Sequence, residues 1–258
     1  MNFQEKTGED LYHQALTFHQ KGDLENAIAE YHKALASNPD LTVAYSNLGA
    51  IYYSKNQLDK AIELWEVALK KEPSSVDILV NLGAAHAQKR DYRTSAFYLD
   101  KAIEIAPERT EAAFNLAQAF LQMGNYPKAL ATLEEITNKE PAFPPAFLTA
   151  ANVYMSSGNF EKAEKVLSKL LEKVPDHPEA LVNLGHITYE TGRISEAKDF
   201  FHRAVSRHPS HYPSLLSFGK FLCDQGDPGN GLMYLEKASQ INPDDWTLEV
   251  HKGNAFQQ

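Results

Sequence analysis

Residues 42–75 read TVAYSNLGAIYYSKNQLDKAIELWEVALKKEPSS, and the whole chain can be measured against this stretch. Its apolar residues recur at intervals of three and four, which is the period of a helix rather than the alternation of a strand. Two such runs are separated by the polar break Lys55-Asn56-Gln57. Asn or Gly just past a helix end is the signal for a left-handed C-terminal cap, so the stretch predicts helix, tight turn, helix. Pro73 lacks an N–H and cannot continue the second helix, which must end before it.

The pattern repeats in both directions. Pro39, Pro73, Pro107, Pro141, Pro175, Pro209 and Pro243 are each 34 residues apart. A period of roughly 20–50 residues is the mark of a solenoid or array. Other columns keep the same step. Small residues recur at Ala15, Gly49, Gly83, Ala117, Ala151, Gly185 and Gly219, and again at Ala27, Ala61, Ser95, Ala129, Ala163, Ala197 and Gly231. Bulky residues recur at Phe18, Tyr52, His86, Phe120, Tyr154, Thr188 and Leu222, and at Tyr31, Trp65, Leu99, Leu133, Leu167, Phe201 and Leu235. Small columns let helices approach closely, and bulky ones fill the space beside them. The Asp, Ser or Glu after most of the prolines (Asp40, Ser74, Glu108, Asp176, Ser210, Asp244) suits the start of the next helix.

With Tyr45, Leu48, Gly49, Tyr52, Ala61, Trp65, Ala68 and Pro73 in register, the second unit resembles the tetratricopeptide repeat family. The resemblance runs over residues 8–243 in seven units, 8–41, 42–75, 76–109, 110–143, 144–177, 178–211 and 212–245. It implies an all-α fold, a right-handed superhelical solenoid of antiparallel helix pairs forming a single array over 1–258, with the first helix of each pair lining a concave surface. Departures mark particular units. Gln14 stands where Leu is usual, and Ile136 and Leu170 stand where Ala recurs, which would widen the local helix spacing. Gly231 in the last complete unit costs roughly 1 kcal/mol against Ala in a helix interior, so that unit is expected to be the loosest. Gly253 and Phe256 continue the columns, so residues 246–258 read as a capping helix or as a truncated eighth repeat.

Composition excludes several classes. The net charge of −9 disfavours nucleic acid, which calls for a basic face, and an anionic membrane surface. No stretch approaches the roughly 18–20 apolar residues of a membrane span. The single cysteine, Cys223, permits no intrachain disulfide and is compatible with a reducing, cytoplasmic location. No phosphate-binding loop, nucleophile elbow, zinc-protease or dinucleotide motif is present, so neither enzyme nor cofactor is expected. His186 with Glu190, and His202, His208 and His211 around Pro209, fall short of a convincing ligand set, and no metal is expected. His86 reads as a packed ring.

Binding chemistry resides elsewhere. One column along the first helices is uniformly polar: His13, Asn47, Asn81, Asn115, Thr149, Asn183, Ser217 and His251. A side-chain amide carries donors and an acceptor, so it can pair with a peptide backbone of any sequence. The competing reading is that these asparagines bond a neighbouring helix. Peptide-binding superhelices of the family carry an asparagine ladder of this kind, and the resemblance makes Asn47, Asn81, Asn115, Asn183 and Asn152, with Tyr53, Phe114 and Tyr189, the candidate groove residues. The family's carboxylate clamp is not matched: Glu9, His13, Asp77 and Asn81 occupy its places and only Asn47 fits, which disfavours acidic chaperone tails. Acidic positions (Glu9, Asp77, Glu111, Glu179, Glu190, Asp224) would favour basic segments. The expectation is a non-enzymatic scaffold or adaptor binding an extended peptide or partner protein. The alternatives are a self-associating structural module, or the recruiting domain of a larger enzyme such as a glycosyltransferase.

Overall fold

A computed structural model describes residues 6–139, 141–245 and Leu248. Among these residues the ordered structure is fourteen helices with no strand. They are α1 (Gly8–Gln20), α2 (Leu24–Ser37), α3 (Thr42–Ser54), α4 (Leu58–Lys71), α5 (Val76–Gln88), α6 (Tyr92–Ile105) and α7 (Thr110–Gln122), then α8 (Tyr126–Thr137), α9 (Pro144–Ser156), α10 (Phe160–Lys173), α11 (Pro178–Glu190), α12 (Ile194–Arg207), α13 (Tyr212–Asp224) and α14 (Pro228–Ile241). Both members of every pair begin 34 residues after their counterparts in the pair before.

In six of the seven pairs the turn is built as its residues predict, and in the third Arg90 takes the left-handed place that Gly or Asn holds elsewhere. One residue takes positive φ: Gly22 (76°), Asn56 (58°), Arg90 (62°), Gly124 (71°), Gly158 (73°), Gly192 (78°) and Gly226 (78°). That left-handed residue closes the first helix and redirects the chain. In five of the seven pairs the side chain of the residue after it caps the second helix. The carboxylates of Asp23, Asp91 and Asp227 and the amide oxygen of Asn159 accept from the backbone N–H three residues on, as does Asn125 from Lys128. Such a cap is worth about 1 kcal/mol.

The residues after the prolines behave differently from expectation. The N-caps of α3, α5, α7, α9, α11 and α13 lie later in the chain, at Leu41, Ser75, Arg109, Phe143, His177 and His211, and make no side-chain cap bond. Asp40 and Asp176 instead reach the next repeat, to Lys71 (2.5 Å) and to Arg203 (2.5 Å) and Arg207 (3.3 Å). The proline rings hold these acids clear of the helix, where an ion pair across the repeat is within reach.

Packing divides the chain into two compact units, residues 1–132 and 133–258. In the first, each helix from α1 to α7 packs on the next, and α3, α5 and α7 also lie side by side. Its buried clusters centre on Tyr31 with Ala15, Ala27 and Leu48, on Trp65 with Ala61, Ala68 and Leu82, and on Leu99 with Leu79, Ala102 and Leu116. In the second, α9 to α14 follow the same rule, with α9, α11 and α13 adjacent. Leu167 packs with Phe147, Ala151 and Ala163, and Phe201 with Phe218, Phe221 and Leu235. Residues 246–258, read from the sequence as a cap or partial repeat, lie outside the described residues apart from Leu248, which is buried.

The small column is where bulky side chains land. A Cβ on Gly49 would stand 2.5 Å from Trp65 Nε1, one on Gly83 2.6 Å from Leu99 Cγ, and one on Gly185 2.6 Å from Phe201 Cε1. Trp65 also donates its indole N–H to the Ser46 carbonyl (3.0 Å). Gly231 has a packing reason as well: a Cβ there would collide with Cys223 Sγ and lie 2.8 Å from the Gly219 carbonyl. Ile136 and Leu170, at positions where Ala recurs, are both fully enclosed. Overpacking of this kind costs about 1–3 kcal/mol. Gly49→Ala should therefore lower the urea midpoint by that equivalent. Gly229→Ala, where an added Cβ meets nothing within 4 Å, should leave it unchanged or slightly higher. An unshifted midpoint for Gly49→Ala would show that Trp65 does not sit against position 49.

Candidate functional site

The polar column of the first helices takes two forms. Asn47, half-buried on α3, donates its amide N–H to the Tyr12 hydroxyl on α1 (3.3 Å). Asn183 on α11 points its amide to Asn152 Oδ1 on α9 at 3.5 Å, the outer limit of a hydrogen bond. His186 Nε2 and Ser217 Oγ form a similar link between α11 and α13 (3.1 Å). These groups bond the neighbouring first helix, the use of the column that competes with ligand contact. Asn81 is half-buried on α5.

Asn115 is placed differently, in the wall of a cavity of about 340 Å³ in the first unit. Tyr53 enters from α3, Gly83, Ala84, Ala87 and Gln88 from α5, Tyr92 and Leu99 from α6, and Asn115, Gln118, Ala119 and Gln122 from α7. Two of the sequence-derived candidates, Tyr53 and Asn115, thus share one space. The ring of Tyr53 is braced against Trp65 at a centroid distance of 5.8 Å. Phe114 is half-buried on α7 and lies outside this lining. Tyr189 belongs to the second unit, where it meets Phe221 edge-on at 5.5 Å, and Asn152 and Asn183 are there too. Gln88, Gln118, Gln122 and Tyr92 were not singled out by sequence. Asn115, Gln118 and Gln122 are spaced three and four apart on α7, so one helix face carries all three amides, and that spacing is the signal that finds them.

None of the residues lining this cavity is ionisable at neutral pH. Asp77, one of the acidic positions, is paired to Arg109 at 2.5 Å. In the second unit Cys223 is buried, and burial followed by the carboxylates of Asp224 and Asp227 pushes its thiol pKa up, away from nucleophilic use. Among the described residues no three His, Cys, Asp or Glu side chains gather as metal ligands, and no helix is long and apolar enough to cross a membrane. His86 stacks on Tyr98 with ring centroids 5.6 Å apart.

Comparison with known proteins gives a consistent outcome. Two family models, described as tetratricopeptide repeat and TPR repeat, match residues 86–151, 138–179 and 154–217, and residues 15–54 and 49–89. Among solved structures, the chain is similar to a tetratricopeptide repeat protein from Parabacteroides merdae, with TM-score 0.65 and 18% identity over 96% of this chain and 98% of that one. It is similar to the C-terminal part of a TPR repeat-containing protein from Cytophaga hutchinsonii, with TM-score 0.74 and 14% identity over 93% of this chain and 98% of that one. A chain of the Naa15/Naa10 structure bound to HypK-THB matches with TM-score 0.51 and 17% identity over 97% of this chain and 39% of its own length. No curated protein sequence matches significantly.

The histidines of the second unit carry a pH signature. His177 and His211 flank the turns before α11 and α13, with His208 and Glu179 close by. Burial chiefly, opposed by Glu179 and aided by His208 (for His211 also by His177), holds both below the ordinary value of 6.5. His186 is lowered as well, by burial and then Lys220 against Glu190. A histidine with a lowered folded pKa stabilises the fold fully above its unfolded value, and that stability is lost as pH falls through the folded value. Thermal stability should therefore fall between about pH 7.5 and about pH 5, and a His177→Gln, His211→Gln variant should show a shallower slope over the same interval. Parallel slopes by differential scanning calorimetry would contradict this assignment.

Proposed function

The chain belongs to the tetratricopeptide repeat family, and on that premise we propose that it is a non-enzymatic adaptor holding an extended segment of a partner protein along its first helices. Repeats of this family mediate protein–protein interaction and are generally non-catalytic scaffolds. The Naa15/Naa10 relative, itself part of a bound assembly, fits that use of the fold.

The observation that carries the proposal is the convergence of Asn115, Gln118 and Gln122 with Tyr53 on one apolar cavity. Amides at the edge of such a space can pair with the N–H and C=O groups of an extended backbone, while the aromatic ring supplies contact area at little entropic cost. Asn81 is the member of the same column on the adjacent helix α5, one repeat earlier. The net charge of −9 favours partners with basic segments and acts mainly on their association rate.

Peptides selected on the intact chain from a displayed random library provide the probe. Asn81→Ala combined with Asn115→Ala should weaken a selected peptide about tenfold, the loss of one or two hydrogen bonds to backbone, with helicity unchanged by circular dichroism. Unaltered affinity in a calorimetric titration would count decisively against a backbone-holding groove.

A further inference from the structure

Resting on that reading, we infer that the cavity among α3, α5, α6 and α7 is a specificity pocket for one large uncharged side chain, aromatic or aliphatic, of the bound segment. The cavity exists because of a single column. The first helices carry His19, Tyr53, Leu121, Met155, Tyr189 and Cys223 at one repeat position, and the third repeat alone carries a methyl group there, Ala87. Ala84, Ala119 and Leu99 line the same space with small or alkyl side chains. A repeat that elsewhere fills this position from its own sequence leaves about 340 Å³ open here. Protein interiors close such gaps by packing, so a persistent apolar hollow opening between helices is suited to a visiting side chain.

The chemistry of the lining sets what fits. Ligand cavities run from roughly 300 to 1,000 Å³, so this one sits at the lower end, where it suits a side chain and not a cofactor. The buried part of its lining, Gly83, Leu99 and Ala119, offers no polar side chain, so an ammonium or carboxylate seated against it would lose hydration without a charged partner. Tyr53 and Tyr92 also line it, and their rings offer contact to an aromatic side chain. The exposed amides of Gln88 and Gln122, with Asn115 and Gln118 beside them in the lining, can take the peptide groups flanking the inserted residue. The pocket therefore selects a neutral, bulky residue within the segment, independently of the acidic bias outside.

Methyl-resolved NMR on the intact chain with labelled alanine tests this, using N-acetyl-phenylalaninamide and N-acetyl-leucinamide as probes against N-acetyl-lysinamide and the α-amide of N-acetyl-aspartic acid, whose β-carboxylate is free. The neutral probes should shift the Ala84, Ala87 and Ala119 methyls saturably, and the charged ones should not. Ala87→Leu, which fills the space, should weaken the neutral probes by at least about tenfold. Absence of saturable shifts at these methyls, or equal shifts from the charged probes, overturns the pocket whether or not the Ala87→Leu variant folds. The two readings separate cleanly. A selected peptide that needs Asn81 and Asn115 but leaves these methyls unmoved keeps the groove and removes the pocket. Methyl shifts with no asparagine dependence keep the pocket and remove the backbone ladder.

Discussion

The contact between a bulky residue on each second helix and a small residue on the preceding first helix governs everything else in the chain. Trp65 on Gly49, Leu99 on Gly83 and Phe201 on Gly185 bring the paired backbones to within one missing methyl of collision. Because the contact is so close, the crossing of each pair is fixed by side-chain shape, and a repeat cannot slide against itself. A single helix pair buries only part of its apolar surface, and neighbours must complete the core, as a solenoid requires. Tyr31 with Leu48, Trp65 with Leu82 and Leu99 with Leu116 are cases in which the second helix of one repeat is covered by the first helix of the next.

That close seat demands a turn of fixed geometry. Five glycines, Asn56 and Arg90 supply the left-handed residue, and an Asx cap follows in five of the seven turns. The cap satisfies an N–H that the second helix cannot satisfy itself, and it does so beside the residue that reverses the chain. The first helices can then stand next to one another, as α3, α5 and α7 do, with their polar column in line. The side chains that the first helices leave exposed are those left over once the small and bulky columns have met.

Most of the scaffold was legible because it repeats. A column seen seven times carries its own averaging, and the helix starts, the turns and the buried Tyr31, Trp65 and Leu167 all follow from it. The features that escaped are those that occur once or are set by a neighbour. Asp40 and Asp176 look like caps in sequence, but their carboxylates lie nearer to cations of the following repeat than to helix N–H groups. Gly231 reads as a weakness until Cys223 is seen against it. The cavity is an absence at Ala87, and an absence acquires volume only when Tyr53, Tyr92 and Gln118 are placed around it.

The same neighbour dependence explains why identical asparagines serve different ends. Asn47 finds the Tyr12 hydroxyl on the first helix before it, 35 residues earlier, and its amide is engaged there. The residue 35 positions before Asn115 is Val80, which offers no side-chain acceptor at all. Asn183 meets Asn152, 31 residues earlier, and the residue at that place for Asn115 is Ala84, so neither place offers it a polar side chain. It faces instead the hollow that Ala87 leaves open, beside Gln118 and Gln122 on the same helix face. Val80 and Ala84 thus leave this amide without the interhelical bond that Asn47 and Asn183 make, and Ala87 leaves the space that it borders.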